Sequence, residues 1–225
     1  MLTMLKSLDT FKKAQGGLAL LEFAVALPFL VLALLGFFEL DRYVSMTRRL
    51  EITASSIAEQ LSQDTLVSPV DVTFARDSTV VLFPAVLADS ARKGVPWSDD
   101  IALSMSSIVF SPTNPKCATN CKFTAQVAWS SGSNSLSRPC NVLLQSASDT
   151  QNSSPTTLPA DAFGPVPLIV VDVAFNYTPL FGASVVPAIT IRRSAYMQPR
   201  YTTGNAYLQY SVAGGDNLVT TCQGF

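Results

Sequence analysis

Gly16-Gly17-Leu18-Ala19-Leu20-Leu21-Glu22-Phe23-Ala24-Val25-Ala26-Leu27-Pro28-Phe29-Leu30 opens an apolar stretch that continues to Leu40 and is broken only by Glu22 and Glu39. As a helix, Leu18 to Leu40 covers about 35 Å at 1.5 Å per residue, enough to cross a bilayer core. The strictly uncharged part, Phe23 to Phe38, is short for a comfortable span. Leu18 to Leu21 must therefore contribute, which puts Glu22 inside the membrane or at its edge. Pro28 removes one helical hydrogen bond and Gly36 weakens its surroundings, yet both residue types are commoner in membrane helices than in soluble ones. A cleaved secretory signal fits less well. The core is too long, it contains Glu22, and its A-x-A-like triplet, Ala24-Val25-Ala26, falls within the core rather than after it.

Working outward, the tail before the span carries Lys6, Lys12 and Lys13, and the segment after it carries Arg42, Arg48 and Arg49, so basic residues alone do not orient the chain. The cysteines do. Cys117, Cys121, Cys140 and Cys222 all follow the span, as expected of a region that meets an oxidising compartment. The expectation is a single-pass membrane protein with its N-terminus cytoplasmic and its main domain extracytoplasmic.

Of the 225 residues, 48% are hydrophobic and 14% charged, and the apolar excess sits near the N-terminus, which leaves ordinary composition for one domain. Fifteen Lys+Arg against 16 Asp+Glu give a net charge of −1. With no basic cluster to follow a phosphate backbone, nucleic acid is not an expected partner. Histidine is absent, so no Ser-His-Asp triad, Cys-His pair or imidazole metal site can form from this chain alone. There is no Gly-rich phosphate loop or nucleophile elbow either, and no cofactor is expected. An exported hydrolase would need two carboxylates converging in a cleft. Asp99, Asp100, Asp161 and Asp172 are the candidates, and each is more simply read as a surface or capping residue. No enzymatic activity is expected.

Beyond the span, Tyr43, Met46, Leu50, Ala54, Ile57 and Leu61 recur every three or four residues, which predicts that the helix continues to about Asp64 as an amphipathic rod. Ser68-Pro69 reads as its end. Thr79 to Ala91 is ambiguous, and Pro84 is read as opening a short helix. Ile101, Leu103 and Met105 then alternate with small polar residues, and Phe123, Val127 and Trp129 with Thr124, Gln126 and Ala128, as in half-buried strands. The turn-rich connector Ser111 to Cys121 makes them a long-looped hairpin with Cys117 and Cys121 at its tip. Residues 130–165, rich in Ser, Asn, Pro and Thr, read as surface loop. Ile169 to Tyr177 is the clearest strand, and Ile189 and Ile191 begin another.

Four cysteines allow three disulfide connectivities, and the spacing does not choose among them. A Cys117–Cys121 ring would order a loop, whereas Cys140–Cys222 would tie the C-terminus to the middle of the domain. A zinc site built from all four cysteines is the rival reading, but Cys-x3-Cys with two widely separated partners is weak spacing for zinc. No metal is expected.

The order Gly16-Gly17-Leu18-Ala19-Leu20-Leu21-Glu22-Phe23 resembles the processing site of type IV prepilins. In that family a membrane-embedded peptidase cuts after a Gly that ends a basic leader, and Glu is the fifth residue of the mature chain. The resemblance makes Gly17 the last leader residue, Leu18 the new N-terminus and Glu22-Phe23 its fifth and sixth residues. It also makes Glu22 an assembly contact with the α-amino group of a neighbouring subunit. A carboxylate at that depth costs a few kcal/mol on insertion scales, so it needs a partner or must snorkel to the headgroups.

The continuation, Glu22-Phe23-Ala24 to Leu27-Pro28 and Leu34-Leu35-Gly36-Phe37-Phe38-Glu39, is similar to the signature of TadE/TadG-like minor pseudopilins of the tight-adherence (Flp) pilus. Leu40-Asp41 departs from the Phe-Gly common there. Phe175-Asn-Tyr-Thr-Pro-Leu180 and Ile189-Thr-Ile-Arg-Arg193 are similar to the C-terminal part of such chains. The resemblance implies an α+β, pilin-like fold: leader 1–17, transmembrane helix 18–40, amphipathic extension 41–64, and an extracytoplasmic domain 65–225 built on an antiparallel sheet. It also implies partners: a prepilin peptidase, other pilin-like subunits, pilus assembly components and the cytoplasmic membrane. The alternative is an uncleaved, signal-anchored binding domain with the 130–165 segment as its working surface.

Overall fold

A computed structural model of the chain describes residues 15–132, 135–148, 154–183, 186–202, 206–211 and 218–225. Helix α1, Gln15–Ser62, is 48 residues long and contains Pro28. Its sequence changes character midway, and so do its surroundings. From Ala19 to Leu34 every residue is exposed, whichever way it faces. From Glu39 onward one face turns inward, and Leu50, Ala54, Ile57, Ala58 and Leu61 are fully buried. The apolar positions spaced three and four apart after Asp41 are the ones the sheet covers, as an amphipathic stripe requires.

After a two-residue strand β1 (Leu66–Val67), helix α2 runs Pro69–Leu82. The sequence reading missed α2, taking Ser68-Pro69 only as a stop. Those residues start a helix: Asp71 N–H donates to the Ser68 hydroxyl, Ser68 N–H donates to the Asp71 carboxylate, and Pro69 occupies the first turn. The Ser-x-x-Asp reciprocal cap was the available signal. Helix α3, Ala85–Lys93, opens on Pro84 as expected and ends at Gly94, whose φ of 70° few other residues adopt at no cost. A single turn, α4 (Trp97–Asp100), leads into the sheet.

The main sheet is antiparallel and consists of β2 (Ile101–Pro112), β3 (Phe123–Gly132), β6 (Leu168–Tyr177), β7 (Ile189–Met197) and β9 (Val219–Thr221), in the spatial order β7-β6-β2-β3-β9. Two short parallel pairs flank it: β4 (Gln145–Ala147) with β5 (Thr157–Pro159), and β1 with β8 (Gln209–Tyr210). The α1 side chains pack on β6 and β7. Ile169, Val171, Val173, Phe175 and Tyr177 face that helix, while Leu168 and Val170 face a second core. Strand β6 is therefore covered on both faces, which is why its sequence is nearly unbroken in apolar residues.

Two expectations need correction. Phe123, Val127 and Trp129 do not share a face. The register passes from Ser107 opposite Trp129 to Ile108 opposite Val127, so Ala128 is an extra residue in β3. This bulge reverses the alternation. Val127 faces the second core, and Trp129 the α1 side, where its indole N–H donates to the Leu208 carbonyl at 2.6 Å.

Nor is 130–165 only a surface loop. Leu136, Arg138, Leu144 and Leu158 are buried, and with β4, β5 and a 3-10 turn (Ala160–Ala162) they cover the second face of the sheet. The low apolar content hid this layer, because a buried ion pair supplies part of what holds it. Arg138 Nε and Nη2 donate to the Asp172 carboxylate at 2.9 and 3.2 Å, and Nη1 donates to the Thr157 carbonyl at 3.0 Å. Ser194 also donates to Asp172. Arg138→Met keeps the bulk but strands a buried carboxylate, so it is expected to cost about 3–5 kcal/mol in chemical denaturation.

The disulfides are Cys117–Cys121 and Cys140–Cys222, with sequence separations of 4 and 82. The first closes the exposed hairpin tip. The second pins β9, at the sheet edge, to the covering layer, and Cys222 is buried. Closing the longer loop restricts the unfolded chain far more. The Cys140→Ser/Cys222→Ser double variant is expected to lose about 2–5 kcal/mol. In the same thermal melts, Cys117→Ser/Cys121→Ser should shift the midpoint much less; equal shifts would contradict this division of roles.

Candidate functional site: the apolar helix and its collar

The most unusual surface is the first half of α1. Leu20, Leu21, Phe29, Leu32, Leu34 and Phe37 are each more than 60% exposed, all round the helix. That is far more contiguous apolar surface than a domain leaves to water. By length and composition this helix could cross a membrane.

Gly17 and Leu18 lie in the first turns of α1, so the bond between them is in helical backbone. The expected leader's residues 1–14 fall outside the described residues. Glu22 and Phe23 are exposed on the projecting end, and Glu22 has no hydrogen-bond or ion-pair partner among the described residues. The structure therefore brings neither Glu22 nor Phe23 against the domain.

What it does bring together, unforeseen, is a collar where the apolar half of α1 ends. The Glu39 carboxylate accepts from the Leu180 N–H at 3.1 Å and the Phe181 N–H at 3.3 Å, and the Tyr177 hydroxyl donates to it as well. Arg42 stands 3.7 Å from Glu39, one turn further on, and its guanidinium lies over the Tyr177 ring. The Phe38 and Phe181 rings meet edge to face at 5.9 Å. Burial, and then the neighbouring carboxylate, push the Tyr177 hydroxyl up to about 12, so it remains a donor at any ordinary pH.

Helix α3 closes the collar from the other side. Asp89, 1% exposed, is met by Arg42 at 3.5 Å, by Lys93 at 2.6 Å and by Arg92. Arg92 also donates to the Thr178 and Pro179 carbonyls at 2.7 and 3.0 Å, and Lys93 donates to Asp100 and to the Asn176 carbonyl. Each of these cations is thus matched: Arg42, Arg92 and Lys93 against Glu39, Asp89 and Asp100. Burial tends to raise the Asp89 carboxyl, but Lys93 and Arg92 more than reverse it and hold it below its ordinary value. Asp100 goes the other way, because burial outweighs its share of Lys93.

The four carboxylates considered for hydrolysis do not converge. Asp100 is held by Lys93 and Asp172 by Arg138, while Asp161 and Asp99 line separate shallow cavities. Sequence reasoning noted Glu39 as an interruption in an apolar run and as the last residue of the motif behind the resemblance, but not as a contact with the domain. Its cue was position, because a carboxylate at the end of such a run needs donors, and a Tyr-x-Pro-Leu turn offers a hydroxyl and free amides.

No protein-family model, curated protein or solved structure matches the chain.

Asp89→Asn is expected to destabilise the domain by about 3–5 kcal/mol at neutral pH, since three cations lose their shared carboxylate. The sign with pH follows from the lowered value. The contribution is present above the ordinary carboxyl value of 3.8 and is lost as pH falls through the lower folded-state value. Denaturation curves of wild type and variant should therefore converge in acid below that point; a gap that stays constant would exclude Asp89 as the titrating group.

Proposed function

We propose that this chain is a TadE/TadG-like minor pseudopilin of a tight-adherence (Flp) pilus, anchored in the bacterial cytoplasmic membrane by α1, with its sheet domain outside. It acts through helix packing and protein contacts rather than chemistry. One observation carries the reading. The two separate stretches that bear the resemblance, Gly36-Phe-Phe-Glu39 and Tyr177-Thr-Pro-Leu180, are joined through the Glu39 carboxylate. Motifs far apart in the chain that complete one another's hydrogen bonds behave as parts of one device, which favours a single origin for both matches.

The physical layout is in keeping with that role. One continuous helix has a bare apolar half, suited to lipid or to the helices of like subunits, and a second half that is the spine of a domain. Maturation would remove residues up to Gly17, leave Leu18 as the N-terminus and place Glu22 four residues into the apolar segment, where an α-amino group of a neighbouring subunit would satisfy it. Cleavage requires the first turns of α1 to open, and helix ends fray at low cost.

Co-expression with a prepilin peptidase tests this. Intact mass and N-terminal sequencing of the membrane-extracted protein should give a chain starting at Leu18 only when the peptidase is present, and Gly17→Leu should block the cut. A chain still starting at Met1, in cells that process a known prepilin, would leave the signal-anchored binding domain as the better account.

A further inference from the structure

We infer that the β6–β7 loop is a second membrane contact: its apolar tip, Leu180 and Phe181, sits in the outer edge of the bilayer beside α1. The inference rests on the proposal that α1 spans a membrane, and adds a site that the proposal does not require.

Three observations carry it. The first is level. At 1.5 Å per residue, Ala19 to Phe38 spans about 30 Å, the thickness of a hydrocarbon core, so Phe38 to Leu40 mark its outer boundary. The Leu180 and Phe181 amides bond to Glu39, and the Phe181 ring touches that of Phe38, which puts the loop tip at that boundary. The second is composition. From Thr178 to Ile189 the chain carries no Asp, Glu, Lys or Arg, while Leu180, Phe181, Val186 and Ile189 are all at least 40% exposed. A charge-free stretch carrying four exposed apolar side chains is out of place in water.

The third observation is rigidity and charge balance. The loop's backbone is tied by Arg92 to the Thr178 and Pro179 carbonyls and by Glu39 to the next two amides, so its position relative to α1 is set. The cations here are matched by carboxylates, so the collar offers no net charge for a charged protein to recognise. What remains exposed is hydrocarbon, continuous with that of Phe37, Phe38 and Leu40 on the helix. A lipid surface fits this, and two points of contact fix the tilt of the domain over the membrane where a single helix would leave it free to swing.

The test is depth measurement by spin labelling of the full-length chain, disulfides intact, in phosphatidylcholine/phosphatidylglycerol vesicles. A nitroxide is placed at Leu180→Cys, at Leu34→Cys as the bilayer reference, and at Val81→Cys, 80% exposed on α2, as the aqueous reference. Power saturation then compares oxygen with a water-soluble nickel chelate as relaxant. The expected result is an oxygen-to-nickel accessibility ratio at Leu180 several-fold above that at Val81 and below that at Leu34. If Leu34 reads as lipid and Leu180 reads like Val81, the second contact is overturned and the spanning helix stands. If Leu34 itself reads as aqueous, the spanning reading fails and takes this inference with it.

Discussion

A single helix here serves two environments without a break, and the change is governed at Glu39. Before that residue α1 is apolar on nearly every side and, among the described residues, meets the rest of the fold near its end, where Phe38 touches Phe181; after it, one stripe enters a core. A free carboxylate at such a junction would be costly, and the fold surrounds it with a tyrosine hydroxyl, two backbone amides and an arginine. Those donors come largely from the β6–β7 turn, so satisfying Glu39 also fixes the sheet's height along the helix. Register of the sheet on α1 and placement of the apolar half relative to the domain are then one constraint.

The charged collar extends this. Helix α3 has little apolar surface to bury, and Val86 is its one fully buried core side chain. It is held by Asp89 and its three cations, and through Arg92 to the same turn that caps Glu39. Such networks contribute less to stability than their number suggests, because desolvation offsets most of the attraction. Their value is geometric, since charged groups with fixed donors tolerate few alternative arrangements. On the opposite face, Arg138 and Asp172 do the same for the layer over the second core, with the Cys140–Cys222 disulfide holding its edge.

For the proposed role, the arrangement separates two tasks. The bare part of α1, with Glu22 exposed on it, is free for lipid and for neighbouring helices. The collar transmits the position of that helix to the whole domain, so the domain would follow the anchor as a unit when it moves within a membrane or an assembly.

Much of this was readable from residues alone. The length and all-round apolar character of Leu18 to Leu40 marked a segment that no small domain could bury, and the three- and four-residue spacing from Tyr43 to Leu61 marked its packed continuation. The strands at Ile101, Phe123, Ile169 and Ile189 followed from alternation, because side-chain periodicity is a local property of the backbone. The layer formed by residues 135–148 and 154–162 was not readable, because its burial rests on a few apolar side chains and an ion pair between Arg138 and Asp172, far apart in sequence. The flip of Trp129 was hidden too, since a bulge is defined only against the partner strand. The same holds for Glu39. The chain states that a carboxylate ends the apolar run, but only the fold, by returning Tyr177 and Leu180 to that height, decides that it is the joint between helix and domain.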